Sequence, residues 1–161
     1  YVRDKDAVVA SMLICEMAAY YKSIGKSVWI ALQEIYTRFG RWLHKVDSHE
    51  FAGLSGMDKM KEIMQALRKN PPKELAGFKI VRAADYLTHV MYDYTAQNTA
   101  AIDLPPANVL TYWLANGASV IVRPSGTEPK IKVYYSTSGA SLAEAEALSA
   151  KLAAAMAPLV Q

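Results

Sequence analysis

Two apolar runs, residues 109–115 and 118–123, are separated by Asn116-Gly117, and this pattern constrains the fold more than any other stretch of the chain. Asn-Gly between apolar runs is the strongest short-range hairpin signal, because a two-residue turn that follows the right-handed twist of the strands needs φ > 0 at both central positions. A hairpin here commits this part of the chain to antiparallel pairing. Its second strand leads into Arg123-Pro124-Ser125-Gly126-Thr127-Glu128-Pro129-Lys130. A further strand is predicted over 131–137, where Ile131, Val133 and Tyr135 alternate with Lys132, Tyr134 and Ser136.

The connection between those strands concentrates anion-binding chemistry. An Arg guanidinium grips phosphate with two parallel charged hydrogen bonds, and Lys adds a point charge. Ser125 and Thr127 each carry a hydroxyl donor. Gly126 can take φ > 0 and let backbone N–H groups turn inward around an anion. The same composition also suits an ordinary strand-to-strand loop, with Gly and Pro for turning and polar residues for solvation, so both readings stay open on residue chemistry alone. Glu128 reads as a partner that orients Arg123 or a lysine, with general acid/base duty as the alternative.

Upstream, a helix is predicted from Ala7 to about Lys22, with Asp4 or Asp6 as N-cap and Gly25 as its stop. Its apolar residues surround the axis, so it needs burial on most faces. Ser27 caps a second helix that ends at Gly40, with Val28, Ala31, Leu32, Ile35 and Phe39 on one stripe. Residues 1–40 thus read as a helical hairpin, too small to bury its own apolar surface. A strand follows over 42–50. A third helix opens on a Ser55/Asp58 capping box, buries Met57, Met60, Ile63, Met64 and Leu67, and stops at Asn70-Pro71-Pro72. Residues 77–86 form another strand, whereas 87–106 show no usable period and are expected to be a long irregular connection. The last helix starts with a Ser141/Glu144 capping box and turns Leu142, Ala145, Leu148, Leu152, Met156 and Leu159 to one side. Residues 41–161 read β-α-β-β-β-β-α, an α+β domain with a largely antiparallel sheet and helices on one face.

Composition removes several function classes. The net charge of +3 is scattered among acidic residues, so no nucleic-acid partner is expected. The longest apolar window, Ala7 to Tyr21, is short and contains Glu16, which favours a core helix over a membrane span. A single cysteine, Cys15, allows no disulfide framework within the chain and suits a reducing, cytoplasmic setting. His44, His49 and His89 lack the neighbours a metal site needs, and no Ser-His-Asp, Walker or Rossmann pattern occurs. The chain opens at Tyr1 without an initiator Met, which points to a piece of a longer protein.

Arg123 to Lys130 closely resembles the phosphate-binding loop of the α-D-phosphohexomutases, the phosphoglucomutase/phosphomannomutase superfamily. Leu104-Pro105, Asn108-Val109-Leu110 with Tyr112, Ile131-Lys132 with Tyr134, and Val2-Arg3-Asp4-Lys5-Asp6-Ala7 extend the resemblance to the bacterial phosphoglucomutase branch. Ala107 departs from it, since relatives often carry Ser there. The resemblance implies a four-domain parent in which 1–40 end the third domain and 41–161 are the complete fourth. It implies interconversion of glucose 1-phosphate and glucose 6-phosphate through an enzyme phosphoserine and a bisphosphate intermediate. The serine, the Mg²⁺ site and the sugar-recognition loop would lie in upstream domains of the same polypeptide, leaving this piece inactive by itself. Arg123, Ser125, Gly126 and Thr127 would contact the phosphate that is not being transferred, assisted by Lys130 and Lys132. Lys5, accompanied by Arg3, would lie near the transferring phosphoryl group. Phosphomannomutase and phosphoglucosamine mutase are alternatives within the family, and a free-standing sugar-phosphate-binding module is the alternative outside it.

Overall fold

A computed structural model of the chain describes residues 5–53 and 55–161. The chain divides into two units, Tyr1–Arg41 and Trp42–Gln161. The first contains helices α1 (Ala7–Ser23) and α2 (Val28–Phe39), whose axes turn through 87°. The Asp6 carboxylate caps α1 by accepting the Val9 N–H at 2.9 Å; Asp4, the other cap candidate, lies outside the described residues. α1 closes on a Schellman turn. Gly25 takes φ +74°, the Lys26 N–H donates to the Tyr21 carbonyl at 2.8 Å, and the Gly25 N–H to that of Lys22 at 3.1 Å. Ser27 Oγ then accepts the Ile30 N–H at 3.2 Å at the head of α2. Caps of this kind contribute about 1 kcal/mol each. α1 buries none of its residues and α2 only Ala31. Among the described residues no single helix is long and apolar enough to cross a membrane.

The second unit is built on strand β1 (Arg41–Glu50), helix α3 (Gly56–Lys69), and strands β2 (Glu74–Leu75), β3 (Phe78–Asp85), β4 (Val90–Asp93), β5 (Asn98–Ala101), β6 (Leu110–Leu114), β7 (Ser119–Pro124) and β8 (Lys130–Gly139). Helix α4 (Leu142–Met156) and a 3₁₀ turn (Ala157–Leu159) complete it. The sheet runs β1-β8-β7-β6-β3-β4-β5, with β2 paired to β3 off this path. Pairing is antiparallel from β8 through β7, β6, β3 and β4 to β5. Period-2 alternation sends Tyr112 and Leu114, Val120 and Val122, and Ile131, Val133 and Tyr135 to one face. There they share a single core with Met60, Ile63, Met64 and Leu67 of α3 and Leu152 and Met156 of α4. Both helices therefore cover the same face, and the unit is the α+β fold expected. Thr137, fully buried, ties sheet to helix by donating to the Ala145 carbonyl at 2.9 Å.

Five local expectations are corrected. Residues 87–106 are not irregular throughout: they carry the β4–β5 hairpin, turned by Asp93, whose Oδ1 accepts the N–H groups of Thr95 and Ala96 at 2.9 and 2.8 Å. Neither Gly nor Pro marks that turn, and Gln97 itself supplies φ +54°. β2 was not foreseen, being only two residues long. In the β6–β7 connection only Gly117 has positive φ, at +85°, because the Leu114 N–H bonds across to the Ala118 carbonyl and the loop closes over three residues. The Ser55/Asp58 capping box does not form. Ser55 is already helical at φ −83°, ψ −3°, and Asp58 instead accepts from Lys61 at 3.0 Å. On α4, Leu142 is exposed while Ser149 is buried, and Leu159, expected on the same helix, falls beyond it in the 3₁₀ turn and is exposed, so the packed stripe is narrower than its leucines suggest.

One close approach fixes the end of the sheet nearest the 124–130 connection. The Phe51 N–H donates to the Pro129 carbonyl at 2.8 Å, and a Cβ on Gly56 would stand 2.3 Å from the Phe51 carbonyl oxygen and 3.0 Å from Pro129 Cβ. Gly56→Ala is therefore expected to destabilise the unit by roughly 1–3 kcal/mol. Denaturant unfolding of the two proteins measures it, and a change of only a few tenths would mean that α3 shifts freely at its first turn.

Candidate functional site

β7 and β8 pair in a register that sets Val122 against Val133 and Arg123 against Lys132. Burial of the valines on the core face leaves Arg123 and Lys132 side by side on the opposite face, where Lys130 and Tyr134 also fall by the two-residue period. The 124–130 connection crosses at the end of this row. Arg123, Ser125, Gly126, Thr127, Lys130 and Lys132, the residues singled out in the sequence, all line one concavity of about 260 Å³. Glu128 and Tyr134 line it as well. Lys5 precedes α1 in the other unit and is exposed; Arg3 lies outside the described residues.

The loop is held by its own backbone. The Ser125 N–H donates to the Lys130 carbonyl at 2.8 Å, and the Lys130 N–H to that of Glu128 at 2.8 Å. Ser125 Oγ accepts the N–H groups of Thr127 at 3.4 Å and Glu128 at 3.3 Å. An oxygen occupied as acceptor keeps its proton available, so the Ser125 hydroxyl can donate outward. Gly126 does not adopt positive φ, contrary to the reason suggested for a glycine there, and a Cβ on it would meet nothing within 4 Å. Neither backbone conformation nor packing within the chain requires glycine at this position.

Glu128 pairs with Lys130 at 2.5 Å. The hydrogen bond from Lys130 and its charge, with Lys132 beyond, hold the Glu128 carboxyl below the usual carboxylate range. The hydrogen bond to Glu128 raises the Lys130 ammonium above the usual lysine range. Glu128 is thus ionised at neutral pH, as an orienting partner requires and a proton-donating general acid does not. The sequence left open whether Glu128 pairs with Arg123 or a lysine; the structure gives Lys130. It also reveals the Phe51–Pro129 bond, for which the sequence carries no signal because the partners are a backbone donor and acceptor far apart in the chain. Among the described residues no group of three or more His, Cys, Asp or Glu side chains gathers as a metal site would require.

Comparison with known proteins places the chain in a family. Residues 59–155 match the family described as "Phosphoglucomutase/phosphomannomutase, C-terminal domain". A phosphoglucomutase of Staphylococcus aureus (strain MRSA252) is 42% identical over 136 residues, which cover 84% of this chain and 24% of that protein. The phosphoglucomutase of strain COL is 40% identical over the same coverage. The chain therefore spans about a quarter of the length of these relatives. The open-form crystal structure of the exocytosis-sensitive phosphoprotein pp63/parafusin from Paramecium, a phosphoglucomutase, superposes with a TM-score of 0.61 at 20% identity. It covers the whole chain and 28% of that protein, and at this identity the likeness speaks for the fold. With more than half of its residues inside the family match, the chain belongs to the phosphoglucomutase/phosphomannomutase family and carries its C-terminal domain.

Proposed function

We propose that the concavity lined by Arg123, Ser125, Gly126, Thr127, Lys130 and Lys132 binds the phosphate of a hexose phosphate. The observation that carries this reading is the direct opposition of Arg123 and Lys132 across β7 and β8. Like charges directly opposite one another on a sheet face are destabilising. A dianion between them turns that repulsion into two attractions. The Arg123 fork and the Lys132 ammonium supply the charge, Ser125 and Thr127 supply hydroxyl donors, and Glu128 holds Lys130 at the rim. Gly126 leaves room where a side chain would meet the bound group.

The proposed parent is a phosphoglucomutase acting on glucose 1-phosphate and glucose 6-phosphate. In it a phosphoserine outside this chain gives its phosphoryl group to the free hydroxyl of the substrate. The bisphosphate then reorients, and its other phosphate returns to the serine. Throughout, the concavity grips the phosphate that is not in flight, so the contribution of this chain is positioning and charge rather than a nucleophile or base. Residues 41–161 serve as the fourth domain and 1–40 as the end of the third, where Lys5 approaches the transferring group. Mg²⁺, which neutralises developing phosphoryl charge, is assigned to the upstream part of a cytoplasmic enzyme. Which sugar is turned over depends on a recognition loop beyond this chain, and assays of the full-length protein on glucose, mannose and glucosamine phosphates distinguish the three.

Arg123→Lys in the full-length protein exchanges a bidentate contact for a single point charge. The expected result is a rise in KM for the sugar phosphate of roughly tenfold or more, from a lost charged hydrogen bond of about 1.5–3 kcal/mol. An unchanged KM would sink the phosphate role.

Gly126→Ala separates ligand space from folding. Its unfolding midpoint should match that of the unsubstituted chain, since a Cβ there meets nothing within 4 Å. Amide shifts at 125–128 on titration with glucose 1-phosphate should nonetheless saturate at a higher concentration. Equal affinity in both proteins would show that Gly126 does not border the ligand.

A further inference from the structure

A second cavity, of about 480 Å³, opens on the helix-covered side of the sheet, between the end of α3 and strands β3, β4 and β6. It is separate from the concavity at Arg123 and Lys132, which occupies the opposite face of the sheet. Leu67, Pro71, Val90 and Leu110 give it apolar walls, and Tyr92 and Tyr94 border it with their rings stacked at 6.4 Å and 10°. A volume of this size is ample for a small ligand.

Its polar groups are few and mostly committed. Arg68 Nε donates to Asp85 Oδ2 at 3.1 Å, and another guanidinium nitrogen donates to Asn108 Oδ1. The same carboxylate accepts the Leu87 N–H and the Thr88 hydroxyl, both at 3.0 Å. Asp85 thus takes three donors on about four acceptor sites and is largely committed. The exception is Tyr112. It is 1% exposed, it lines the cavity, and its hydroxyl has no hydrogen-bond partner among the described residues. Burial, with the Asp85 carboxylate nearby, raises its pKa, so it stays an O–H donor throughout the physiological range. A buried donor without an acceptor is costly and calls for an explanation. Lys69 adds a further donor to the lining.

We propose that this cavity binds a planar aromatic carboxylate, its ring seated between the Tyr92–Tyr94 stack and the Leu67–Pro71 wall and its carboxylate accepting from Tyr112 and Lys69. The donor surplus selects an anionic acceptor, and the flat apolar walls select an aromatic body over a sugar, whose hydroxyls would find few partners there.

The test is a titration of the 161-residue chain with 2-naphthoate, read by amide NMR shifts. Saturable shifts are expected at 67–69, 90–94 and 110–112, with weaker binding of the neutral analogue 2-naphthalenemethanol. Tyr112→Phe keeps the ring and removes the donor, so it should weaken 2-naphthoate about tenfold while leaving the spectrum elsewhere unchanged. Val90→Trp fills the opening and should abolish binding independently. Absence of saturable shifts, shifts confined to Lys69, or equal affinity in Tyr112→Phe would each overturn the proposal and leave Tyr112 facing only water.

Discussion

Arg123 and Lys132 stand opposite each other because their neighbours have no freedom to place them elsewhere. Val122 and Val133 are fully buried and paired, as are Val120 and Tyr135. A slip of β8 by one residue would turn Lys132 into the core and bring Val133 to the surface, and a slip of β7 would do the same to Arg123 and Val122, so core packing forbids either. The hydrophobic face of the sheet therefore enforces a like-charge contact on the other face, worth about 0.2–1 kcal/mol of repulsion in a cross-strand pair. The core contributes far more than this. A folded protein can carry such a local penalty where the repulsion is put to use.

The rest of the site keeps that pair in place and finishes the cradle around it. Backbone bonds between Ser125 and Lys130, and between Phe51 and Pro129, fix the path of the connection. Gly56 lets α3 start directly against it. The Glu128–Lys130 pair takes one cation out of the repulsive row and holds it at the rim. Every one of these devices positions charge, and none supplies a nucleophile. Such a division suits a chain that spans about a quarter of its relatives' length and for which we propose a substrate-holding role.

What was legible in the sequence follows from which signals are local. The alternation in 131–137 and the apolar runs on either side of Asn116-Gly117 exposed both strands and the loop between them, since a half-buried strand writes its burial into every second residue. Asp6 and Ser27 as caps were equally readable, because a cap bonds only three residues ahead. The β4–β5 hairpin was not. Its turns rest on Asp85 and Asp93 side chains and on left-handed His89 and Gln97, residues that occur in many other settings. Ser55 stands at the N-cap position as it looked, but its backbone there is not extended and its side chain makes no capping bond. The candidate site was legible as a set of residue types. Its opposed cations were not, since they depend on the β7–β8 register, and Gly126 turned out to lack the φ that first suggested its use.

The most direct measurement compares the unfolding of the chain and its Lys132→Met variant with and without millimolar phosphate. If Arg123 and Lys132 repel each other while awaiting an anion, the variant will be as stable as the original chain or more stable without phosphate. It will also lose most of the stabilisation that phosphate confers by binding the folded state. A variant that is less stable without phosphate, yet gains as much from phosphate as the original chain, would contradict the account.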